Sequence, residues 1–211
     1  KLGLIETVQA NDARVDYLDN AKGALLLEPQ RTNSITYSES MNQYTVVNGT
    51  ITPNALTSPD GTLNAVKFFE NSNNSQHVFD TNSISVTSGI KYTISVFAKY
   101  SGRFLTLQGS SHLGGAFATF NLQNGTLEQQ GVGTASIEQM SNDWYRCKLV
   151  VQMVSSGNCV ASVLLNDSAT GGRSRSYEGN GTSGVFLYGF QLEQGSYATS
   201  YIPTQGTAQT R

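Results

Sequence analysis

Charge is scarce in this sequence: only 13% of its residues are Asp, Glu, Lys or Arg, and the formal net charge is −2. A chain so nearly neutral offers no electrostatic reason to expect nucleic acid or an anionic membrane as a partner. No window reaches the ~18 apolar residues of a membrane helix, so no membrane insertion of that kind is expected. There is no basic-then-apolar leader at the start. The opening Lys1-Leu-Gly-Leu-Ile5 reads as the middle of a pattern, so a cut from a longer parent is expected. Cysteine is equally scarce. Cys147 and Cys159 are the only two, too few for a disulfide framework in 211 residues. A tight hairpin around Ser155–Asn158 would pair Cys147 near Asn166 and leave Cys159 out of reach, so two buried free thiols are the expectation. Histidine is limited to His77 and His112. Zinc-ligand spacing, a nucleophile elbow and a phosphate loop are all missing. Asp143, Asp167 and Glu178 are carboxylates, but no spacing makes any two face each other across a cleft as glycosidases require. The chain is therefore read as non-catalytic.

What the sequence does have is short apolar segments and many turn residues, including 21 glycines. The segment Val185–Leu192 is apolar and aromatic on both alternating faces, which predicts a strand in mid-sheet covered on both sides. Gly189 inside it predicts a bulge or a close backbone approach. Strand candidates recur from Ile35 onward with Gly, Asn and Asp turns between them. The clearest hairpin is Phe117–Gln129, with Asn124-Gly125 read as a two-residue turn. Two long strands have readable faces. In Lys91–Lys99, Tyr92, Ile94, Val96 and Ala98 alternate with Thr93, Ser95 and Phe97. In Trp144–Val154, Tyr145, Cys147, Leu149, Val151 and Met153 form the core face, opposite Trp144, Arg146 and Lys148. No convincing helix is found. The fold class expected is all-β, an antiparallel β-sandwich of jelly-roll type with a short N-terminal extended segment. Residues 1–33 form that segment, packing on the sandwich or joining an upstream region, and residues 34–211 form the sandwich.

Binding chemistry is easier to place than catalysis. Sugars are held by aromatic rings against their apolar faces and by amide, carboxylate and guanidinium groups on their hydroxyls. Trp144, the single Trp, shares a strand face with Arg146, and Phe97 lies opposite its own core face. The competing reading is that residues 1–33 cover this face and make Trp144 and Phe97 core. The long polar loop 166–184 carries Tyr177 and Arg175, and loops of that length are often functional. The candidate carbohydrate-binding residues are therefore Trp144, Arg146, Tyr177, Arg175 and Phe97. Asp167, Glu178 and Asn180 in the same loop are candidate ligands for a structural calcium ion, without the spacing of a defined calcium loop. No other cofactor is expected.

Two signatures bracket the chain. Gly23-Ala-Leu-Leu-Leu-Glu-Pro-Gln-Arg-Thr-Asn33 stands near the start, and Gly189-Phe-Gln-Leu-Glu-Gln-Gly-Ser-Tyr-Ala-Thr-Ser-Tyr-Ile-Pro-Thr204 near the end. Between them, in order, come Ser58-Pro-Asp-Gly-Thr62, Thr93–Lys99 and Asp143-Trp-Tyr-Arg-Cys147. Together these resemble the carbohydrate-binding-module-like domains of bacteriophage tail-fibre and head-fibre proteins. The resemblance implies a virion domain that recognises polysaccharide or cell-surface glycan on a host, with other copies of itself as partners in a homotrimer. A carbohydrate-binding module of a secreted polysaccharide-degrading enzyme and a purely structural virion domain are the alternatives. The motifs identify the domain type and carry no information on the ligand.

Overall fold

The computed structural model describes residues 14–16, 22–110, 112 and 114–211. Residues 1–13, the start of the expected N-terminal segment 1–33, lie outside them. Of the described residues 53% are in strands and 4% in helix.

Twelve strands make up two sheets. Numbered in chain order they are β1 (Thr45–Val47), β2 (Gly49–Leu56), β3 (Ala65–Glu70), β4 (His77–Asp80), β5 (Lys91–Ser101), β6 (Phe104–Gly109), β7 (Phe117–Asn121), β8 (Thr126–Gln130), β9 (Thr134–Gln139), β10 (Trp144–Gln152), β11 (Ala161–Asn166) and β12 (Gly184–Gln194). The first sheet runs β9-β10-β5-β12-β3-β2 and the second β8-β7-β6-β11-β4-β1. Every neighbouring pair is antiparallel. The chain passes repeatedly from one sheet to the other, as in jelly-roll sandwiches. The expected all-β antiparallel sandwich is the observed fold.

Alternation decides what lies between the sheets. Tyr145, Cys147, Leu149 and Val151 of β10, with Met153 just beyond it, point into the main core beside Ile94, Val96 and Ala98 of β5. The second sheet meets them with Phe79, Leu105, Leu107, Phe120, Val163 and Leu165. Strand β12 sits between β5 and β3 and is buried almost throughout, as its two apolar faces require. Gly189 adopts φ 62, and a Cβ there would stand 2.9 Å from the Phe97 ring. The β5–β12 register shifts between Ser95 and Phe97. The glycine thus marks a bulge and a close approach at once.

Two local expectations are corrected. The hairpin at Phe117–Gln129 exists, but Asn121 pairs with Thr126, which leaves a four-residue loop. Only Gly125 of that loop has positive φ, and the Asn121 side chain caps the amides of Gln123 and Asn124 at 3.0 and 3.3 Å. Asn121 supplies the turn chemistry expected of Asn124. The expected pairing of Trp144–Val154 with the segment after it does not form. Strand β10 pairs with β9 and β5, while β11 lies in the other sheet. Both cysteines are buried and free, because they sit in different sheets: Cys147 in β10, and Cys159 paired with Ile84. Burial pushes both thiols up, Cys147 the further.

A second apolar cluster lies on the outer face of the first sheet. It joins Ala65, Phe97, Trp144 and Tyr188, with Leu56, Met140, Phe186 and Tyr201 against it. Its rim is fastened by the turn Ser58–Thr62. One Asp60 oxygen accepts from Ser58 Oγ, Thr62 N and Thr62 Oγ1, each at 2.7 Å, and the other from Tyr188 OH at 2.9 Å. Partial burial raises the Asp60 carboxyl, but the bonds from Ser58, Thr62 and Asn64 outweigh it and hold it at about 2.

Candidate functional site

The two signatures meet. Asn33 lies fully buried between the opening segment and β12. Its Nδ2 donates to Ile202 O at 2.9 Å and Phe190 O at 3.3 Å, and its Oδ1 accepts from the amides of Ile35 and Leu192 at 3.1 Å each. Gln191 Oε1 accepts from Ile202 N at 2.8 Å, and Glu193 accepts from Thr199 N at 2.9 Å and Thr199 Oγ1 at 2.7 Å. Glu28 accepts from Ser200 N at 2.7 Å and pairs with Arg14 and Arg211. Burial raises the Glu28 carboxyl, yet these donors outweigh it and hold it below the usual range. Every polar group of Asn33 is thus used inside the fold, which makes the signatures a scaffold device.

The candidates Trp144, Phe97 and Arg146 do converge, on the outer face of the first sheet, but that face is closed. Trp144 and Phe97 are each 2% exposed. The Arg146 guanidinium lies 5.1 Å over the Phe97 ring and donates to Thr199 O at 2.6 Å. Burial pulls its pKa down despite the surrounding carboxylates. Among the described residues the closing signature supplies cover, through Thr199 and Tyr201. Tyr177 is corrected likewise. It is 5% exposed, belongs to a short strand pairing Asn74–Ser75, and donates its OH to Glu70 Oε2 at 2.6 Å. Glu70 is fully buried and also holds Arg103 at 2.6 and 2.7 Å. Only Arg175 stands free of the core, exposed and paired with Asp167 Oδ1 at 2.5 Å.

The candidate calcium ligands are not brought together. Asp167 is taken by Arg175. Asn180 Oδ1 caps its own turn, accepting from Thr182 N at 3.0 Å and Ser183 N at 2.9 Å. Glu178 is exposed on the short strand. Among the described residues no group of three or more His, Cys, Asp or Glu is placed to hold a metal ion.

A concave surface lies elsewhere, beside the seam. Thr32–Asn33 pairs with Gln209–Thr210, and Arg31 and Arg211 exchange backbone hydrogen bonds at 3.1 and 2.9 Å. Between this short ladder, the start of β5, the end of β12 and the strand Ile84–Val86 opens a cleft of about 460 Å³. Its lining is Gln30, Arg31, Thr32, Ser34, Ser85, Tyr92, Gln194 and Thr210. That is one guanidinium, two amides, four aliphatic hydroxyls and a tyrosine. The Arg31 guanidinium lies 5.7 Å over the ring of Tyr197, which is 50% exposed. The volume falls within the ~300–1,000 Å³ typical of small-molecule sites. No sequence motif announces this cleft. Its lining comes from five separate stretches, and Arg31 and Tyr92 read from the sequence as scaffold and core.

No family model matches the sequence, and no curated protein does. Solved structures similar to the chain include the enzymatically active domain of tailspike protein 4 of bacteriophage CBA120, at 12% identity over 77% of this chain and TM-score 0.45. The CBM22-1–GH10 modules of Clostridium thermocellum xylanase 10B, complexed with xylohexaose, are similar at 12% identity over 83% of this chain and TM-score 0.46. The chain spans only 21% and 30% of those two. TmCBM61, in complex with β-1,4-galactotriose, is similar at 14% identity over 74% of this chain and 92% of its own length, with TM-score 0.42.

Proposed function

We propose that this chain is a non-catalytic carbohydrate-binding domain of a phage fibre or other virion appendage, and that it takes host-surface glycan in the cleft beside the seam. The cleft carries the reading. A saccharide presents many hydroxyls and small apolar ring faces; the lining answers with amides, hydroxyls and a guanidinium, and the half-exposed Tyr197 ring stands beside that guanidinium. The two signatures support the appendage, through the resemblance they carry. Placement in a secreted polysaccharide-degrading enzyme is the alternative, and catalytic sequence beside this domain in the parent would favour it.

A single shallow site of this kind binds weakly, at about micromolar to millimolar dissociation constants. Several copies on one fibre recover strength by avidity. A homotrimer is the assembly proposed, with Leu25 and Leu27 among the apolar side chains left exposed on the N-terminal segment. Sedimentation that gave a monomer at high concentration would count against it.

The test is affinity electrophoresis against host polysaccharides, with Ser85→Trp as the blocking variant. Ser85 is exposed and lines the cleft, so an indole there fills it without touching the core. Retardation of the wild type, lost in Ser85→Trp, is the expected result. Retardation untouched by Ser85→Trp would remove the cleft from the proposal. No retardation by any polysaccharide would remove glycan binding itself.

A further inference from the structure

The charge of the cleft deepens this reading and rests on it. Of the eight lining residues one is ionised, and it is a cation, Arg31. The guanidinium is fixed in place. Gly195, at φ 150, lies against it so closely that a Cβ there would stand 3.0 Å from both Nε and Nη2. The Tyr197 ring lies 5.7 Å from its central carbon.

The group is fixed but poorly partnered. Among the described residues its one hydrogen bond is a long one, from Nη1 to the carbonyl of Gln30 at 3.4 Å. Nε is buried without a hydrogen bond and stands 3.9 Å from Glu193 Oε2. Glu193 is its charge partner at that distance, although the Glu193 oxygens take their hydrogen bonds from Gln191, Thr199 N and Thr199 Oγ1. A guanidinium carries five donors in a planar fork that matches a carboxylate. One packed beside a cleft of hydroxyls and amides, with its charge partner on the Nε side, keeps most of its donors for a further acceptor.

We infer that the cleft selects a sugar unit bearing a carboxylate, bound through the Arg31 fork while Gln30, Gln194 and the cleft hydroxyls take the ring hydroxyls. The guanidinium fork matches the two oxygens of a carboxylate. A phosphate, approaching two charges at neutral pH, would call for further cations that the lining does not contain.

The test is a printed panel of uronic-acid oligosaccharides, each beside its carboxyl-reduced neutral counterpart, probed with the intact domain. Acidic members are expected to bind about tenfold or more tightly than their reduced forms, the size of one charge-assisted contact. Their binding weakens as salt rises, since the site is partly open to solvent. Arg31→Gln is expected to bring acidic members down to the level of the neutral ones, with its folding checked by thermal melting. The wild-type comparison stands even if that variant does not fold. Equal binding of acidic and reduced members would overturn the inference and leave glycan binding in place. Silence across both halves of the panel would overturn the glycan-binding role, and this inference with it.

Discussion

Two irregular segments lie against the sandwich and are fastened in opposite ways. The closing segment Gly195–Thr204 covers the outer face of the first sheet. The loop 167–176 lies against the second, where Gly172 N donates to Gln129 Oε1 at 2.9 Å and Arg173 reaches Gln108 Oε1 at 3.3 Å and Gly109 O. The closing segment is held by buried side chains, Asn33, Gln191 and Glu193, whose polar groups meet no water. The loop is held by side chains that water also reaches, such as Arg175 on Asp167. A hydrogen bond contributes according to what replaces it when it breaks. Water replaces the loop's bonds at once, and nothing replaces those of the seam.

The sharpest way to break this comparison is Asn33→Ala. It strands two amides and two carbonyls in a dry interface, where each unmet group costs ~1–3 kcal/mol. A loss of more than about 3 kcal/mol in urea unfolding is expected. A smaller loss would mean that water enters the seam. Next is Glu70→Gln, at the point where the long loop stops being loose. Removing the carboxylate leaves Arg103 without its counter-charge and weakens the hold on Tyr177 and the Asn180 amide. The expected cost is about 3 kcal/mol, the low end for breaking a buried ion pair, because Arg103 keeps some exposure. Hydrogen exchange at residues 177–183 should accelerate with it, while exchange at 199–202 stays slow.

Acid sharpens the comparison at a third place. Asp60 is held at about 2 against an ordinary 3.8. A lowered carboxyl contributes stability that is complete above the ordinary value and is lost as pH falls through the folded value. Stability due to Asp60 is thus present above about pH 4 and fades between there and pH 2. Urea midpoints of Asp60→Asn should start lower at neutral pH and fall less steeply over that window. Parallel slopes for the two proteins would show that Asp60 is not clasped as described. The smallest effect is expected from Asp167→Ala. Its partner Arg175 is exposed, and surface pairs contribute little. The melting temperature should not move measurably by calorimetry.

The sheets were legible in the sequence because their signal is local. Alternation along Trp144–Gln152 and the double-faced apolar run of Val185–Leu192 carry their burial in the residues themselves. Sheet neighbours were not, since β10 prefers β9 and β5 to the segment that follows it, and that choice is made by packing across the whole domain. The grouping of the candidate site residues was legible, and their burial was not. Trp144 and Phe97 do lie together on one outer face, but the strand pattern cannot show that Thr199 and Tyr201 return to cover it. The cleft could not be read at all, because Gln30, Ser85, Tyr92, Gln194 and Thr210 meet only after the fold has closed.

The pairing of Arg31 with Arg211 also has a mechanical meaning. Chain enters this ladder at Arg31 and leaves it at Arg211, on the same end of the same antiparallel pair. Tension drawn along the backbone between those two points would load the pair as a zipper, one rung after another, since ladder bonds lie across the strands. Such a ladder yields at low force. The first lock behind it is Asn33, which faces into the sandwich and resists as a unit. A domain loaded in this way would pay out a few residues of slack under a pull, opening the cleft walled by Arg31, Thr32 and Thr210 before its sheets felt any strain.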